Sequence, residues 1–368
     1  MKQDWTYKKL GDVCDIYQPK TLSTEDLIDD GKYPVYGANG VIGRYNSYNH
    51  DSSEVLLTCR GATCGRINIS QPFSWINGNA MVIHRKSDVL SFDFLKYIMS
   101  SLDYSLIITG AAQPQITRQK LAPTVISYPS LSEQKSIVSE LDKIKELISL
   151  KQSQLSNLDS LCQSIFYDMF GDPGENEKGW EVKTFGELGT IERGAGISKK
   201  DFVDEGLPCI HYGQLHTILG PTTKHHYASI PQSLLPKYKI AHTGDLIMAI
   251  TSEDVEGSCK STAWLGDYDI VIGSDAAILH HEQNGTFLSY YTMTKAFFNE
   301  KAKYAKGFKV THISTKEIES IPVYLPPISL QQEFANRIEA IEQQKLFINS
   351  TINELETLLA SRMQYWFD

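Results

Sequence analysis

Two heptad-patterned stretches, 197 positions apart, constrain this chain more than any other feature. In the first, apolar residues fall on two interleaved sevens: Leu141, Ile148, Leu155, Cys162, Met169, and Ile137, Ile144, Lys151, Leu158, Ile165. A shift of 197 gives Ile338, Lys345, Ile352, Leu359, Trp366 and Phe334, Ile341, Ile348, Leu355, Arg362. Spacing that alternates three and four is the seam of a coiled coil. Each stripe is too narrow and too long to be buried by one small domain, so the two helices are expected to pack on each other. An approximate two-fold would make them antiparallel, setting Leu158 near Lys345 and Lys151 near Ile352. The two seam lysines then do not meet, and each is free to reach outward or to fix register.

The rest of the chain repeats as well. Ile116-Thr117-Arg118-Gln119-Lys120-Leu121 matches Ile313-Ser314-Thr315-Lys316-Glu317-Ile318, and Gln134 matches Gln331. The copies open alike, at Trp5 to Asp12 and Trp180 to Glu187. The sequence therefore divides into globular segments 1–130 and 173–326, each followed by a helix, 131–172 and 327–368.

Charge narrows the function classes. The chain carries a net −9, an argument against a simple nucleic-acid binder. The globular segments are net +1 and −4, and each helix is net −3, so two-thirds of the acid excess lies in the helices. Only the local field at a groove needs to be positive, which keeps nucleic acid among the candidates. No apolar run approaches the ~18 residues of a membrane span, so no membrane partner is expected. The start at Met1 lacks an apolar signal core. Six scattered cysteines without CxxC pairs suit free thiols in a cytoplasmic protein.

Several loops carry recognition chemistry. In the first copy a strand-like run, Glu54 to Thr58, leads into Arg60-Gly61-Ala62-Thr63-Cys64-Gly65-Arg66. Its glycines permit close approach of a phosphate or base edge, and its arginines suit either partner. Tyr36 to Tyr45 repeats the mix of glycine, amide, arginine and aromatic, and Gln113-Pro114-Gln115 offers amides able to read adenine. In the second copy the corresponding strand is Gly244 to Ile250 and the loop Gly257 to Ser261. Lys303 to His312 there is basic and interleaved with aromatics. A retained frame with divergent loops suggests two readers for two different targets.

Enzyme signatures do not appear. There is no GxxxxGK[ST] loop, no HExxH and no complete dinucleotide turn, so no cofactor is expected. The adjacent pairs His225-His226 and His280-His281 would point to opposite strand faces, against a shared metal.

Together the paired openings, Gly31 to Gly43, Leu56 to Gly65 and Pro129 to Val138 at the head of a long helix resemble the specificity subunit of type I restriction–modification enzymes. The resemblance covers essentially the whole chain. It implies an α+β protein: two duplicated mixed α/β target-recognition domains separated by two long antiparallel coiled-coil helices. It implies a non-catalytic subunit that reads a split sequence in double-stranded DNA. The helices would act as a ruler and dock two modification (methyltransferase) subunits, joined by translocating restriction subunits. DNA-contact positions carried over are Asn39, Arg44, Arg60, Thr63, Arg66, Gln113 and Gln115 in the first domain. In the second, where the match is looser, they are Lys199, Lys200, Tyr212, Gln214, Lys260, Lys306, Lys309 and His312. Two other readings stay open: a specificity subunit of a related system with fused nuclease and methyltransferase, and a coiled-coil adaptor that binds no DNA.

Overall fold

A computed structural model describes residues 4–110, 113–233, 238–305 and 310–368. The chain forms two compact units, one of residues 1–152 with 349–368, the other of residues 153–348.

In the first unit, strand Thr6–Lys9 pairs antiparallel with Val125–Tyr128. A four-stranded sheet follows, in the order Cys14–Tyr17, Ala80–Arg85, Val55–Thr58, Ile67–Ile69. A second sheet holds Gly40–Tyr45, Tyr33–Gly37 and Trp75–Ile76, the last two parallel. The second unit repeats this plan. Glu181–Thr184 pairs with Pro322–Leu325. Gly189–Arg193, Ala276–His281, Leu246–Ala249 and Ser261–Trp264 stand in the same order, extended by Thr222–Thr223. Leu207–Ile210 again runs parallel to Ile270–Ile272. The central strands are apolar on both faces: Val55, Leu56 and Leu57 in one unit and Leu246, Ile247 and Met248 in the other are fully buried.

A buried glutamine ties each sheet frame to its helix. Gln134 accepts from Ser91 N at 2.8 Å and donates to the carbonyls of Val89 and Pro129. Gln331 does the same with Asn284 N at 3.0 Å and the Pro326 carbonyl. Ser91 and Asn284 in turn cap the helices Phe92–Ser101 and Gly285–Tyr291. Both glutamines are fully buried, and a buried amide with filled donors and acceptor fixes orientation closely.

The long helices are Leu131–Phe170 and Ile328–Phe367, 40 residues each. The first ends at Gly171, whose left-handed φ of 77° closes the terminal turn. Lys178 Nζ caps the carbonyls of Asp168 and Met169, and the Trp180 indole donates to that of Phe170. The helices pair antiparallel as expected. In the first unit Arg362 forms a bidentate pair with Glu140 and stacks over Trp366. In the second, Lys345 lies 2.8 Å from Asp159. The two contacts have nearly the same residue-number sum, the mark of opposed chains. Lys345 also bonds Glu342, so this seam lysine serves register.

Burial follows the heptads. Ile137, Leu141, Ile144, Phe334, Ile338, Ile341, Ile348 and Ile352 are buried, with Leu155, Leu158 and Leu355 half-buried. Two aromatic side chains outside both sevens join them: Phe166 and Phe170 pack against Phe287 and Phe334, mostly edge to face, at centroid distances of 4.9 to 5.8 Å. In the first unit, Trp366 stacks on Trp5 and Phe367 meets Phe94. Each unit's core thus includes one end of each long helix.

Candidate nucleic-acid interface

In the first unit the loop after strand Val55–Thr58 is closed by Gly65 N to the Thr58 carbonyl (2.9 Å) and Thr58 N to the Arg66 carbonyl (2.8 Å). Gly61 and Gly65 take φ of 90° and 97°, which only glycine adopts readily. Arg60 bridges to Gln115, and Gly61 N donates to the Pro114 carbonyl at 3.0 Å. On the other side Thr63 Oγ1 donates to Asn39 Oδ1 at 2.5 Å. Asn39 belongs to the tight turn between Tyr33–Gly37 and Gly40–Tyr45. Asn39, Arg60, Thr63, Arg66 and Gln115 therefore gather on one edge, beside the exposed Gln113. Among the described residues the guanidinium groups of Arg60 and Arg66 have no hydrogen-bond or ion-pair partner. Arg44 lies elsewhere: its Nε and Nη2 donate to the carbonyls of Gly31 and Lys32 and brace that turn.

The second unit builds the same edge from other side chains. Ile313 N donates to the Ile250 carbonyl at 3.0 Å, as Ile116 N does to that of Cys59. Thr251 pairs with His312, as Arg60 pairs with Gln115. Cys259 N and Ala249 N close the loop as Gly65 and Thr58 do, and Cys259 takes φ of 56° where the first copy has Gly65. Lys260 thus replaces Arg66, and Thr251 replaces Arg60.

The tight turn bearing Asn39 gives way to a short helix, Tyr212–Thr217. His211 caps it: Gly213 N donates to His211 Nδ1, and Gln214 Oε1 accepts from His211 N. Burial, and then the charge of Lys199, holds the His211 imidazole below its ordinary pKa, which favours the accepting form. His216 Nε2 donates to the Thr251 carbonyl, tying this helix to the loop.

A cleft of about 1330 Å³ opens within this unit. Lys199, Tyr212, Gln214, Thr251 and Lys260 line it, together with Glu253, Asp254 and Glu256. Lys200 is exposed beside Lys199, and the His312 ring meets the Thr251 hydroxyl at 3.2 Å. Lys306 and Lys309 lie outside the described residues. Sequence reading did not single out Thr251 or the carboxylates. Thr251 has no charged or amide group to mark it, and the backbone pairing around it shows that it occupies the place of Arg60.

One sheet frame built twice, with unlike loops on equivalent edges and an antiparallel helix pair, defines an internally duplicated class of two-domain recognition proteins. The chain belongs to the type I restriction modification DNA specificity family, whose domain model matches residues 2–159 and 177–357. It is similar to the type I restriction enzyme MjaVIII specificity subunit of Methanocaldococcus jannaschii, at 21% identity over 378 residues, covering 92% of this chain and 86% of that one. It is likewise similar to the EcoDI specificity subunit of Escherichia coli, at 21% identity over 377 residues, covering 92% and 81%. The fold matches the type I system S subunit from M. genitalium with a TM-score of 0.58, at 14% identity over 99% of this chain and 96% of that one. The family is that of the non-catalytic specificity subunit. No helix among the described residues is long and apolar enough to cross a membrane.

Proposed function

We propose that this chain reads a bipartite sequence in double-stranded DNA, each unit taking one half. The recognition domains are residues 1–130 and 173–326, and the helical segments 131–172 and 327–368 are spacers. One observation carries the reading: equivalent backbone frames present Arg60, Arg66 and Gln115 in one copy and Thr251, Lys260 and His312 in the other. A duplicated frame with unlike side chains is what two different half-sites require. Phosphate contacts set the position and base-edge contacts choose the sequence. Arginine with a bidentate reach suits guanine, and Gln115 or Asn39 suits adenine. The chemistry belongs to partners, namely two modification subunits held by the helices and restriction subunits joined to them, acting on DNA in the cytoplasm. Those partners would also supply the positive field that an acidic chain lacks.

The test maps the methylated motif in host DNA with and without this chain. The expected result is a split motif that vanishes when the chain is removed. A motif that persists unchanged would overturn the reading.

A further inference from the structure

The two equivalent loops differ in length and in how they are held. Arg60 to Gly65 is six residues, closed by its own backbone and by Pro114. Thr251 to Cys259 is nine, and a longer loop has more freedom to lose on ordering. Part of its order is internal: Asp254 Oδ1 accepts from Gly257 N at 2.7 Å, and Ser258 Oγ donates to the Val255 carbonyl at 2.7 Å.

At its N-terminal end His216 and the pairing with His312 anchor Thr251, and the middle of the loop is held by a further element. Lys301, on helix Lys295–Ala302, is 4% exposed. Its Nζ donates to the Glu256 carbonyl at 2.8 Å and to the Ser258 carbonyl. The ammonium lies 5.4 Å from the Phe298 ring centroid. Burial pushes its pKa down, while Cys259, Glu256 and Asp254 pull it back up. A buried ammonium persists only where acceptors replace its water, and both acceptors here are loop carbonyls. Thr251, which opens this loop, and Lys260, which follows it, line the cleft and flank the gripped segment.

We propose that Lys301 is a positioning residue for the reading loop of the second unit, fixing Glu256 to Ser258 so that Thr251 and Lys260 face DNA in one geometry. The proposal rests on the DNA-reading role argued above. The Lys301 ammonium is committed to two loop carbonyls, so it acts through the loop. It confers on a nine-residue loop the rigidity that the shorter loop of the first unit derives from glycine turns. Loss of the ammonium would therefore loosen one reader and leave the other intact.

The experiment compares the full chain, assembled with its modification subunits, as wild type, Lys301→Met and Lys301→Gln. Two quantities are read. One is competition binding against duplexes carrying single-base changes in each half-site. The other is amide hydrogen exchange over residues 251–260 and 58–66. Lys301→Met should lose about tenfold in discrimination at one half-site, the one that Arg60→Ala leaves untouched. Its Gly257, Cys259 and Lys260 amides should exchange about tenfold faster, with those of Gly65 and Arg66 unchanged. Glutamine keeps a donor on a shorter stem and should fall between. Unchanged discrimination with unchanged loop exchange would overturn the proposal. So would equal losses at both half-sites, or failure of both variants to fold, because either makes Lys301 a core residue only. A wild-type complex without half-site selectivity would overturn the DNA reading itself, and the exchange comparison would still decide whether Lys301 holds the loop.

Discussion

Arg44 and Arg60 carry the same guanidinium and stand in similar glycine-rich surroundings, yet the fold uses them differently. Arg44 braces the carbonyls of Gly31 and Lys32, whereas Arg60 lies on the loop edge beside Gln115. Arg60→Ala should cost about 1–3 kcal/mol and relax one half-site only, as competition with single-base variants would show. A uniform loss across all sequences would mean a phosphate contact instead. Arg44→Ala should lower the unfolding midpoint and leave the recognised sequence alone. Gln331 makes a second residue-scale case. Its truncation to alanine strands Asn284 N and the Pro326 carbonyl. The orphaned Pro326 carbonyl, which is buried, costs about 1–3 kcal/mol, measurable by urea unfolding. The exposed neighbour Gln332→Ala should change stability by less than about 0.5 kcal/mol. Sequence alone singled out both arginines, because residue type was visible to it and the acceptors of their N–H groups were not.

At the scale of elements, the heptads gave the helix seam and its phase. They did not give Phe166 or Phe170, which fall outside both sevens because they also pack on Phe287, a residue of the globular frame. A seam pattern records only the partner helix, so a side chain buried by a sheet-borne helix breaks its period. Phe334 meets both groups, and Phe334→Ala should cost about 3–5 kcal/mol in chemical unfolding. The Glu140–Arg362 pair gives the element a pH dependence. Hydrogen bonding to Arg362 holds the Glu140 carboxyl below its ordinary range. A depressed folded pKa contributes stability that is complete above the unfolded value of about 4.3 and is lost as pH falls through the folded one. Wild type should therefore lose more thermal stability than Glu140→Gln between neutral pH and acid, the difference closing below that range. Parallel melting curves would refute the pair's contribution.

For the molecule as a whole, the duplication is legible in the sequence, and its details are not. The offset between equivalent positions grows from 175 at Trp5 and Trp180 to 197 at Gln134 and Gln331. Nine of those 22 residues build the helix Tyr212–Thr217 and lengthen the loop Thr251 to Cys259, both at the cleft. If the helices set the distance between half-sites, removing residues 148–154 together with 349–355 keeps the antiparallel register and shortens the pair. Seven residues correspond to ~10 Å, so the tolerated spacer should shorten by about three base pairs at most. Both half-site sequences should stay the same. A methylation motif with an unchanged spacer would remove the ruler from the account.

Local sequence determined the duplication, the helix seam and its antiparallel pairing, since all of these follow from the period of apolar residues and from symmetry. The tertiary structure decided which residues occupy equivalent positions on the two loop edges. Thr251 stands in for Arg60, Lys260 for Arg66, and Lys301 holds the loop between them through carbonyls. Backbone hydrogen bonds across distant strands make those correspondences, and a backbone carbonyl is present at every position, so no pattern of side chains could have announced them.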